Sequence, residues 1–483
     1  MGGGAAPTKH TKTVVVLGAA YGGVRASQTL VAGVPKGWRV ILIDRNSHAN
    51  HVYVMPRYAV LPGHEYKAFI PYTNVFLVDP STIPHIHIQA EVLSIRPNSI
   101  TLSKSFPELG IPSETLAFDY AIYALGSHLP APLNLWGSSP KISDTVSKPS
   151  DADAKVFNYH GNKSEAVAWL QKKQELVKKS PTILVVGGGA LGIQFATDIK
   201  AVYPEKKVTL LHSRRRLLPR FDEDMHNEIF KSMESAEIEV ILGERLDLST
   251  IEGGNAKVNS LGQKVVRTVQ GREIAADLLL LCTGQTPNTG LLHDMDPAIV
   301  NDDTKLAHVL RTLQVSVLRP SSSDEKVEST LEKLSLLDKE ATEKVTASEI
   351  TATTTTTTQE PQTTPYPNIF VIGDAADAFG AIPAGHTAAA QGQLAARNII
   401  RLIKRREKES SKSEDTSPPA EEDEPLEQYT PGLPAIKVSL RRTRFLDKVR
   451  IPSRTYRRNE GRREGRSLSR FDVAIVRDQG REG

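Results

Sequence analysis

The stretch "ILVVGGGALGIQFATDI", residues 183–199, decides how this chain folds. An apolar run leads into Gly187, Gly189 and Gly192, and a helix-forming pattern follows. In such a GxGxxG turn the first glycine makes the bend, the second lets the backbone approach a pyrophosphate, and the third lets helix and strand pack closely. The helix N-terminus then points free N–H groups at the phosphates. We predict a dinucleotide-binding turn; a glycine turn with only a structural role is the alternative.

A second turn of this kind lies near the start of the chain, in "VVVLGAAYGGV", residues 14–24. Gly18, Ala20 and Gly23 take the three positions, and Asp44 follows at the end of "VILID". A carboxylate at that place accepts the ribose hydroxyls of an adenine dinucleotide. The methyl group of Ala20 crowds the pyrophosphate slightly, so a plain tight turn with a surface Asp44 is the alternative.

Short apolar strands flank both turns and predict two βαβ units, each with a parallel sheet covered by helices. The four strands are Thr13–Leu17, Arg39–Ile43, Thr182–Val186 and Lys207–Leu211. A further helix is predicted over Ser164–Lys179, with Asn162 and Glu165 as a capping pair.

Three later segments each read as a strand that ends in a turn of small residues. They are "FDYAIYALGS" with Gly126, "ADLLLLCTGQTPNT" with Gly284, and "NIFVIGDAADAFG" with Gly373 and Asp374. Any one of them is an ordinary strand end, but their order around two glycine-rich turns favours a two-domain nucleotide-binding protein.

With these motifs the chain resembles the flavoproteins that have two dinucleotide-binding domains. Within them it is similar to the AMID-like, apoptosis-inducing-factor-homologous oxidoreductases, a group that includes ferroptosis suppressor proteins and is related to type II NADH dehydrogenases. The resemblance covers about residues 12–318 and 366–402. It implies an α/β fold of two Rossmann-like domains, with the nicotinamide domain inserted in a discontinuous FAD domain. It also implies one FAD and one NAD(P)H per chain.

The predicted organisation follows from this resemblance and from changes in composition along the chain. The segments are a flexible N-terminus 1–11, a first FAD-binding segment 12–150, an NAD(P)H-binding domain 151–285, a second FAD-binding segment at 286–318 and 366–403, a disordered insertion 319–365, a polar linker 404–430 and an atypical basic segment 431–483.

The resemblance also implies which residues hold the FAD. The first turn, including Gly22, binds the pyrophosphate, and Asp44 binds the ribose. Arg57 in "VMPRY" matches an FAD-contacting arginine, and Val92 matches the strand residue beside the adenine. Further contacts fall at the strand ends and at the start of the last helix: Gly126, Gly373, Asp374, Thr387 and Gln391. A helix N-terminus near Thr387 would stabilise negative charge on the reduced flavin.

The presence of a single cysteine, Cys282, limits which electron acceptors are possible. A disulfide reductase needs a redox-active cysteine pair, and an all-cysteine metal site needs more than one thiol. Cys282 lies in the "LLLLCTG" strand, where a buried structural thiol is expected. The electrons therefore leave to an external acceptor, for which the resemblance suggests a quinone. Because the flavin carries the reaction, we name no catalytic acid or base and no metal ligand.

The choice of nicotinamide is predicted from the end of the strand "KVTLLH". NADH-specific sites place an acidic residue there, but this chain continues with Ser213 and Arg214. A serine hydroxyl and a guanidinium can hydrogen-bond a 2′-phosphate. We expect NADPH to be accepted at least as well as NADH; the alternative is that these arginines only solvate a surface loop.

The last segment departs from the family after "PAIKVSL", residues 434–440, where arginine-rich sequence begins. We interpret it as an altered reading frame or a retained intron; a basic tail or a surface-binding arm are the alternatives. The rival function is a non-catalytic protein of flavoprotein fold that binds nucleic acid or anionic surfaces through this tail. A net charge of +4 over 483 residues does not by itself indicate a nucleic-acid partner.

The chain contains no apolar run long enough for a transmembrane helix and no pattern of a signal or transit peptide. We expect a cytoplasmic protein, and a peripheral contact with a lipid or mitochondrial surface stays open.

Overall fold

The computed structural model describes residues 11–76, 85–136, 159–251, 257–317, 364–411, 423–440 and 444–449. The helices in these residues are α1 Tyr21–Gly33, α2 Met55–Tyr58, α3 Lys163–Lys179, α4 Ala190–Val202, α5 Glu223–Glu234, α6 Gly290–Met295 and α7 Gly385–Ser411. The strands are β1 Lys12–Leu17, β2 Trp38–Asp44, β3 His48–Asn50, β4 Phe69–Pro71, β5 Ile86–Gln89, β6 Val92–Arg96, β7 Ser99–Leu102, β8 Thr115–Ala117, β9 Tyr120–Tyr123, β10 Ser127–His128, β11 Thr182–Val186, β12 Lys207–His212, β13 Glu239–Leu242, β14 Lys257–Val258, β15 Lys264–Arg267, β16 Glu273–Ala276, β17 Leu278–Leu281, β18 Thr286–Pro287, β19 Ala307–His308, β20 Ile369–Val371, β21 Ala376–Asp377, β22 Ala435–Leu440 and β23 Arg444–Val449.

The first sheet has the strand order β20-β9-β1-β2-β5, and all its pairs are parallel. Val14, Val15 and Val16 are completely buried, as expected when both faces of a parallel sheet are covered. Helices α1 and α7 pack closely against each other beside this sheet. An antiparallel sheet of β6, β7 and β8 is attached to the same region of the chain.

The second sheet has the strand order β13-β12-β11-β17 and is also parallel. Along the chain, the strands of the second sheet are followed by β20, which belongs to the first sheet and pairs with β9. The first sheet is therefore built from two separate stretches of the chain with the second sheet between them. The predicted fold class, two Rossmann-like units with one inserted in the other, is confirmed.

Helix α3 begins and ends where the sequence predicts, within one residue. The backbone N–H of Asn162 donates to Oε2 of Glu165 at 3.2 Å, which satisfies one of the free donors of the first turn.

The predicted polar linker from residue 404 is wrong in its initial residues, because α7 continues to Ser411. The acidic end of the linker folds back on that helix. Arg401 donates to Glu427 and to Glu424, each at 2.6 Å, and Arg397 pairs with Glu427 at 2.5 Å. The acidic residues Glu424 and Glu427 at the described end of the linker thus form an ion-pair network with α7.

The beginning of the atypical basic segment contains two strands. Strands β22 and β23 form an antiparallel pair in which Ala435 lies opposite Val449. A backbone ladder needs only extended chain, so the absence of apolar alternation in the sequence did not reveal β23. Residues 450–483, with most of the arginine-rich tail, lie outside the described residues.

The hydrophobic core is divided between the two sheets, but not at the predicted domain boundary. Met55, Val60 and Phe69 are buried in one cluster with Leu170 of α3 and Phe195 of α4. The segment between β3 and β4 therefore packs into the core of the second unit, although it belongs in sequence to the first.

Candidate functional site

The carboxyl ends of β1, β2, β9 and β20 meet at one edge of the first sheet, where ligands bind in open α/β sheets. Gly18 has φ +91°, and a Cβ there would lie 2.4 Å from the carbonyl oxygen of Ala124. A Cβ on Gly23 would lie 1.8 Å from the oxygen of Gly18. The first turn therefore needs glycine at both positions, whereas Ala20, exposed at the N-cap of α1, has room for its methyl group.

Asp44 lies directly beside this turn. Its Oδ2 accepts a hydrogen bond from the backbone N–H of Ala19 at 2.8 Å, and its Oδ1 accepts from the N–H of Asn46 at 2.7 Å. Burial raises the pKa of Asp44, while these donors act in the opposite direction. The carboxylate thus connects the end of β2 to the start of α1.

Asp374 lies after β20 in a second polar group at the same edge. Its Oδ2 accepts from Oγ of Ser127 at 3.1 Å and from Nε2 of Gln285 at 2.8 Å. Burial raises the pKa of Asp374. Because Gln285 follows the second sheet, this carboxyl group lies where the two units meet.

The start of α7 contacts the first turn. A Cβ on Gly22 would lie 3.0 Å from the carbonyl oxygen of Ala388. Thr387 is half-buried in the first turn of α7. Gln391 is almost completely buried, and its Oε1 accepts from the N–H of Gly373 at 2.7 Å, so it holds the turn before Asp374 in place.

The second glycine turn has the same construction at the end of β11. Gly187 has φ +122°, and a Cβ on Gly192 would lie 1.9 Å from the oxygen of Gly187. A Cβ on Gly189 would meet nothing within 4 Å, which leaves open space in front of the turn. His212 Nδ1 accepts from the N–H of Gly188 at 3.0 Å, while its Nε2 is buried without a partner among the described residues.

Ser213 and Arg214 follow β12 and are exposed beside this turn. Among the described residues no acidic side chain forms an ion pair with Arg214. The nearby Glu244 instead pairs with Arg272 at 2.8 Å. The loop is therefore free of the carboxylate that would repel a phosphate.

Four residues that were predicted to bind a cofactor are not part of the two glycine turns or of the side chains bonded to them. Arg57 forms an ion pair with Asp198, and Val92 begins β6 in the antiparallel sheet. Gly126 and Gly284 both have positive φ, +61° and +89°, and a Cβ on either would meet nothing within 4 Å.

Sequence reasoning missed a group that we call the aromatic cluster: Tyr21, His51 and Tyr53. Oη of Tyr21 lies 2.8 Å from Nδ1 of His51, and the Tyr21 and Tyr53 rings meet edge to face at 5.4 Å. Oη of Tyr53 accepts from the N–H of Gly385 at 3.0 Å. The only signal in the sequence was the tyrosine inside "GAAYGG", since "NHVYV" carries no motif.

Cys282 comes directly after β17 and packs against the second core. Burial raises the pKa of its thiol well above the usual range. A raised pKa lowers the fraction of reactive thiolate.

This geometry defines a flavoprotein with two dinucleotide-binding domains. A family model described as pyridine nucleotide-disulphide oxidoreductase matches residues 12–316, more than half of the chain. The chain belongs to this family.

Similar proteins agree with this assignment. The chain is 39% identical over 439 residues to Fe-regulated protein 8 of Mycosarcoma maydis, covering 90% of this chain and 87% of that protein. It is 30% identical over 280 residues to ferroptosis suppressor protein 1 of Taeniopygia guttata, covering 56% and 62%. Among solved structures, an NAD-dependent persulfide reductase from A. fulgidus matches with a TM-score of 0.54 at 14% identity, covering 89% of this chain and 62% of that one, and shows the fold alone.

The chain is an NAD(P)H-dependent FAD oxidoreductase. Its residues fit both cofactors, because each turn has the close helix–strand approach that a pyrophosphate site requires and the space before Gly189 is open. The buried Nε2 of His212 is a polar atom that a bound nucleotide can satisfy. No helix within the described stretches of the chain is both long and apolar enough to cross a bilayer.

Proposed function

We propose that this enzyme passes electrons from NAD(P)H to a quinone-type acceptor. The observation that supports it is Cys282, the single cysteine of the chain, which is half-buried and has a raised pKa. A disulfide substrate exchanges with a cysteine pair in the protein, and this chain has no second thiol. A quinone accepts both electrons of a hydride without a protein thiol.

In this proposal the first turn binds the FAD. The N–H groups at the start of α1 bind the pyrophosphate between Gly18 and Gly23, and Asp44 accepts a hydrogen bond from a ribose hydroxyl. Asp374 accepts a hydrogen bond from a hydroxyl of the ribityl chain, and Gln391 holds the turn at Gly373 in position. Bound FAD supplies hydride acceptance from the nicotinamide and electron release to the acceptor.

The start of α7 has an electrostatic role. The N-terminus of a helix carries a partial positive charge from its free N–H groups. With FAD bound, Thr387 and the backbone of its turn would hold the flavin ring beside this partial positive charge, which would favour electron acceptance by the flavin.

The second turn binds the nicotinamide cofactor through Gly187, Gly189 and Gly192. Ser213 and Arg214 hydrogen-bond the 2′-phosphate of NADPH, and no carboxylate of their loop opposes it. We keep the domain boundaries proposed from sequence with two changes: the segment between β3 and β4 packs into the core of the NAD(P)H-binding unit, and α7 extends the last FAD-binding segment to residue 411.

Absorbance spectroscopy tests the proposal directly. The purified protein should contain FAD, lose its visible flavin absorption with anaerobic NAD(P)H, and regain it when a soluble ubiquinone analogue is added. Glutathione disulfide and lipoamide should not restore the absorption. Restoration by a disulfide, or a reduced flavin that quinones leave unchanged, would show that the acceptor is wrong.

A further inference from the structure

Tyr21 and His51 are bonded to each other in a largely buried position. Oη of Tyr21 lies 2.8 Å from Nδ1 of His51, and His51 is only 7% exposed. Tyr21 is half-buried in the first glycine turn, and His51 follows β3. Two residues from different elements thus form one hydrogen-bonded couple inside the proposed FAD site.

This couple lines a small cavity beside the first turn. The lining residues are Ala20, Tyr21, Ala49, Asn50, His51 and Ile70. Ala20 occupies the middle position of the nucleotide turn, so the cavity opens next to the backbone proposed to bind the pyrophosphate.

The same couple reaches the start of α7. A Cβ on Gly385 would lie 2.8 Å from the Tyr21 ring, so the ring lies directly against this residue. Tyr53 contacts both rings and accepts from the N–H of Gly385. The aromatic cluster therefore spans the distance between the first turn and α7, where the flavin ring is proposed to lie.

We propose that Tyr21 and His51 form a proton relay that serves quinone reduction. The inference rests on the proposed function, because only an acceptor that takes up protons needs such a relay. Reduction of a quinone to a hydroquinone consumes two electrons and two protons. NAD(P)H supplies a hydride, which is two electrons and one proton, so the second proton comes from solvent.

The transfer balances without leaving charge on either residue. The Oη–H bond of Tyr21 breaks as its proton passes to a quinone oxygen, and Nδ1–H of His51 replaces that proton on Oη. Nε2 of His51 then takes a proton from solvent, to which the residue keeps 7% of its surface open. The net result is one solvent proton on the quinone and the tautomer of His51 that carries its proton on Nε2. The ring returns to the Nδ1–H tautomer when Nε2 releases a proton to solvent and Nδ1 takes one up.

The surroundings keep both partners neutral. Burial raises the pKa of Tyr21 and lowers the pKa of His51. A buried couple that moves a proton without forming an ion avoids the desolvation cost of a charge. Asp374 is the acidic group near this cluster, and its charge acts on Tyr53.

The test compares two acceptors in one variant, Tyr21→Phe, which removes the hydroxyl and keeps the ring against Gly385. Ferricyanide takes single electrons and no proton. Reduction of a soluble quinone should slow about 100-fold, within the range for general acid catalysis. Because Tyr21 lies in the proposed FAD site, both rates are normalised to the FAD content of the variant, and the ratio of the quinone rate to the ferricyanide rate should fall well below the wild-type ratio. The solvent deuterium isotope effect on quinone reduction should change.

His51→Ala should show the same selective loss of quinone reduction. Added imidazole should restore quinone reduction in this variant. Tyr66→Phe is the matched control, because Tyr66 is exposed and lies outside the cluster. Normal quinone reduction by Tyr21→Phe, or equal slowing with ferricyanide, would overturn the relay. A wild type that reduces ferricyanide but no quinone would instead overturn the proposed acceptor, and the relay with it.

Discussion

Arg57 of α2 and Asp198 of α4 form an ion pair that joins the two nucleotide-binding units, with Nη2 of Arg57 3.1 Å from Oδ1 of Asp198. The side chains are 17% and 3% exposed. Burial raises the pKa of Asp198, and the guanidinium acts against that shift. Arg57, the arginine that the resemblance assigned to FAD, therefore forms an ion pair with the second unit.

Asp198→Ala should destabilise the protein by about 3–5 kcal/mol, because it leaves the guanidinium of Arg57 buried without this carboxylate. Urea unfolding of the FAD-loaded protein measures this loss. The double variant Arg57→Met, Asp198→Ala should recover some of it, since the half-buried guanidinium is removed together with the carboxylate that it contacts. A single variant as stable as wild type would mean that solvent replaces the carboxylate.

Asp374→Ala should weaken FAD binding about 10- to 100-fold, the range for losing a hydrogen bond to a charged group. Fluorescence titration of apoprotein with FAD gives the Kd. Asp377→Ala is the matched control, because Asp377 is exposed three residues further along. Equal affinity in the two variants would contradict the role of Asp374.

Arg214→Ala should raise KM for NADPH by the equivalent of about 1–3 kcal/mol and leave KM for NADH nearly unchanged. The physical reason is the lost charge-assisted hydrogen bond to the 2′-phosphate. Arg215→Ala, at the next exposed position, controls for general charge. A wild type that strongly prefers NADH, or a variant that weakens both cofactors alike, would refute this assignment.

Cys282→Ser should keep turnover with quinone within about tenfold of wild type, or about 1.4 kcal/mol in barrier. The thiol is half-buried and its pKa is raised by burial, so we expect it to take no part in electron transfer. Steady-state rates together with a thermal unfolding curve separate a folding defect from a chemical one. A larger loss in a folded variant would assign the thiol a role in the reaction.

Glu427→Gln should destabilise the protein at pH 7 but not at pH 2. The side-chain hydrogen bond from Arg397 is the main cause that lowers the pKa of Glu427, from 4.5 to about 2. A lowered pKa in the folded state contributes stability above the unfolded value, and that contribution is lost as pH falls from about 4.5 to 2. Unfolding midpoints of wild type and variant across this window should converge; a constant difference would mean that the charge of Glu427 is not involved.

Local sequence patterns were sufficient wherever a structure is made by neighbouring residues. The glycine spacing from Gly187 to Gly192 predicted a turn in which helix and strand touch, and Asn162 with Glu165 predicted the start of α3. These features depend on backbone geometry and bonds within a few residues, which composition and spacing express directly.

Contacts between distant segments were not predictable in this way. Gln391 was expected at the flavin, yet it is buried against Gly373, and the acidic end of the linker pairs with α7. A charged residue has the same sequence pattern whether it is exposed or paired. Its partner is a residue from a distant segment, and only the fold brings the two together.

The sequence by itself determined two Rossmann-like units, since parallel strands, glycine turns and buried apolar runs are local and periodic. The nesting of the units and the kind of cofactor followed from the family resemblance that these motifs carry. Only the tertiary structure decided that Arg57 meets Asp198, 141 positions away, and that Tyr21 meets His51. The physical reason is that side chains at strand ends and in loops have no periodicity. Their partners are set by how the two sheets and α7 pack together.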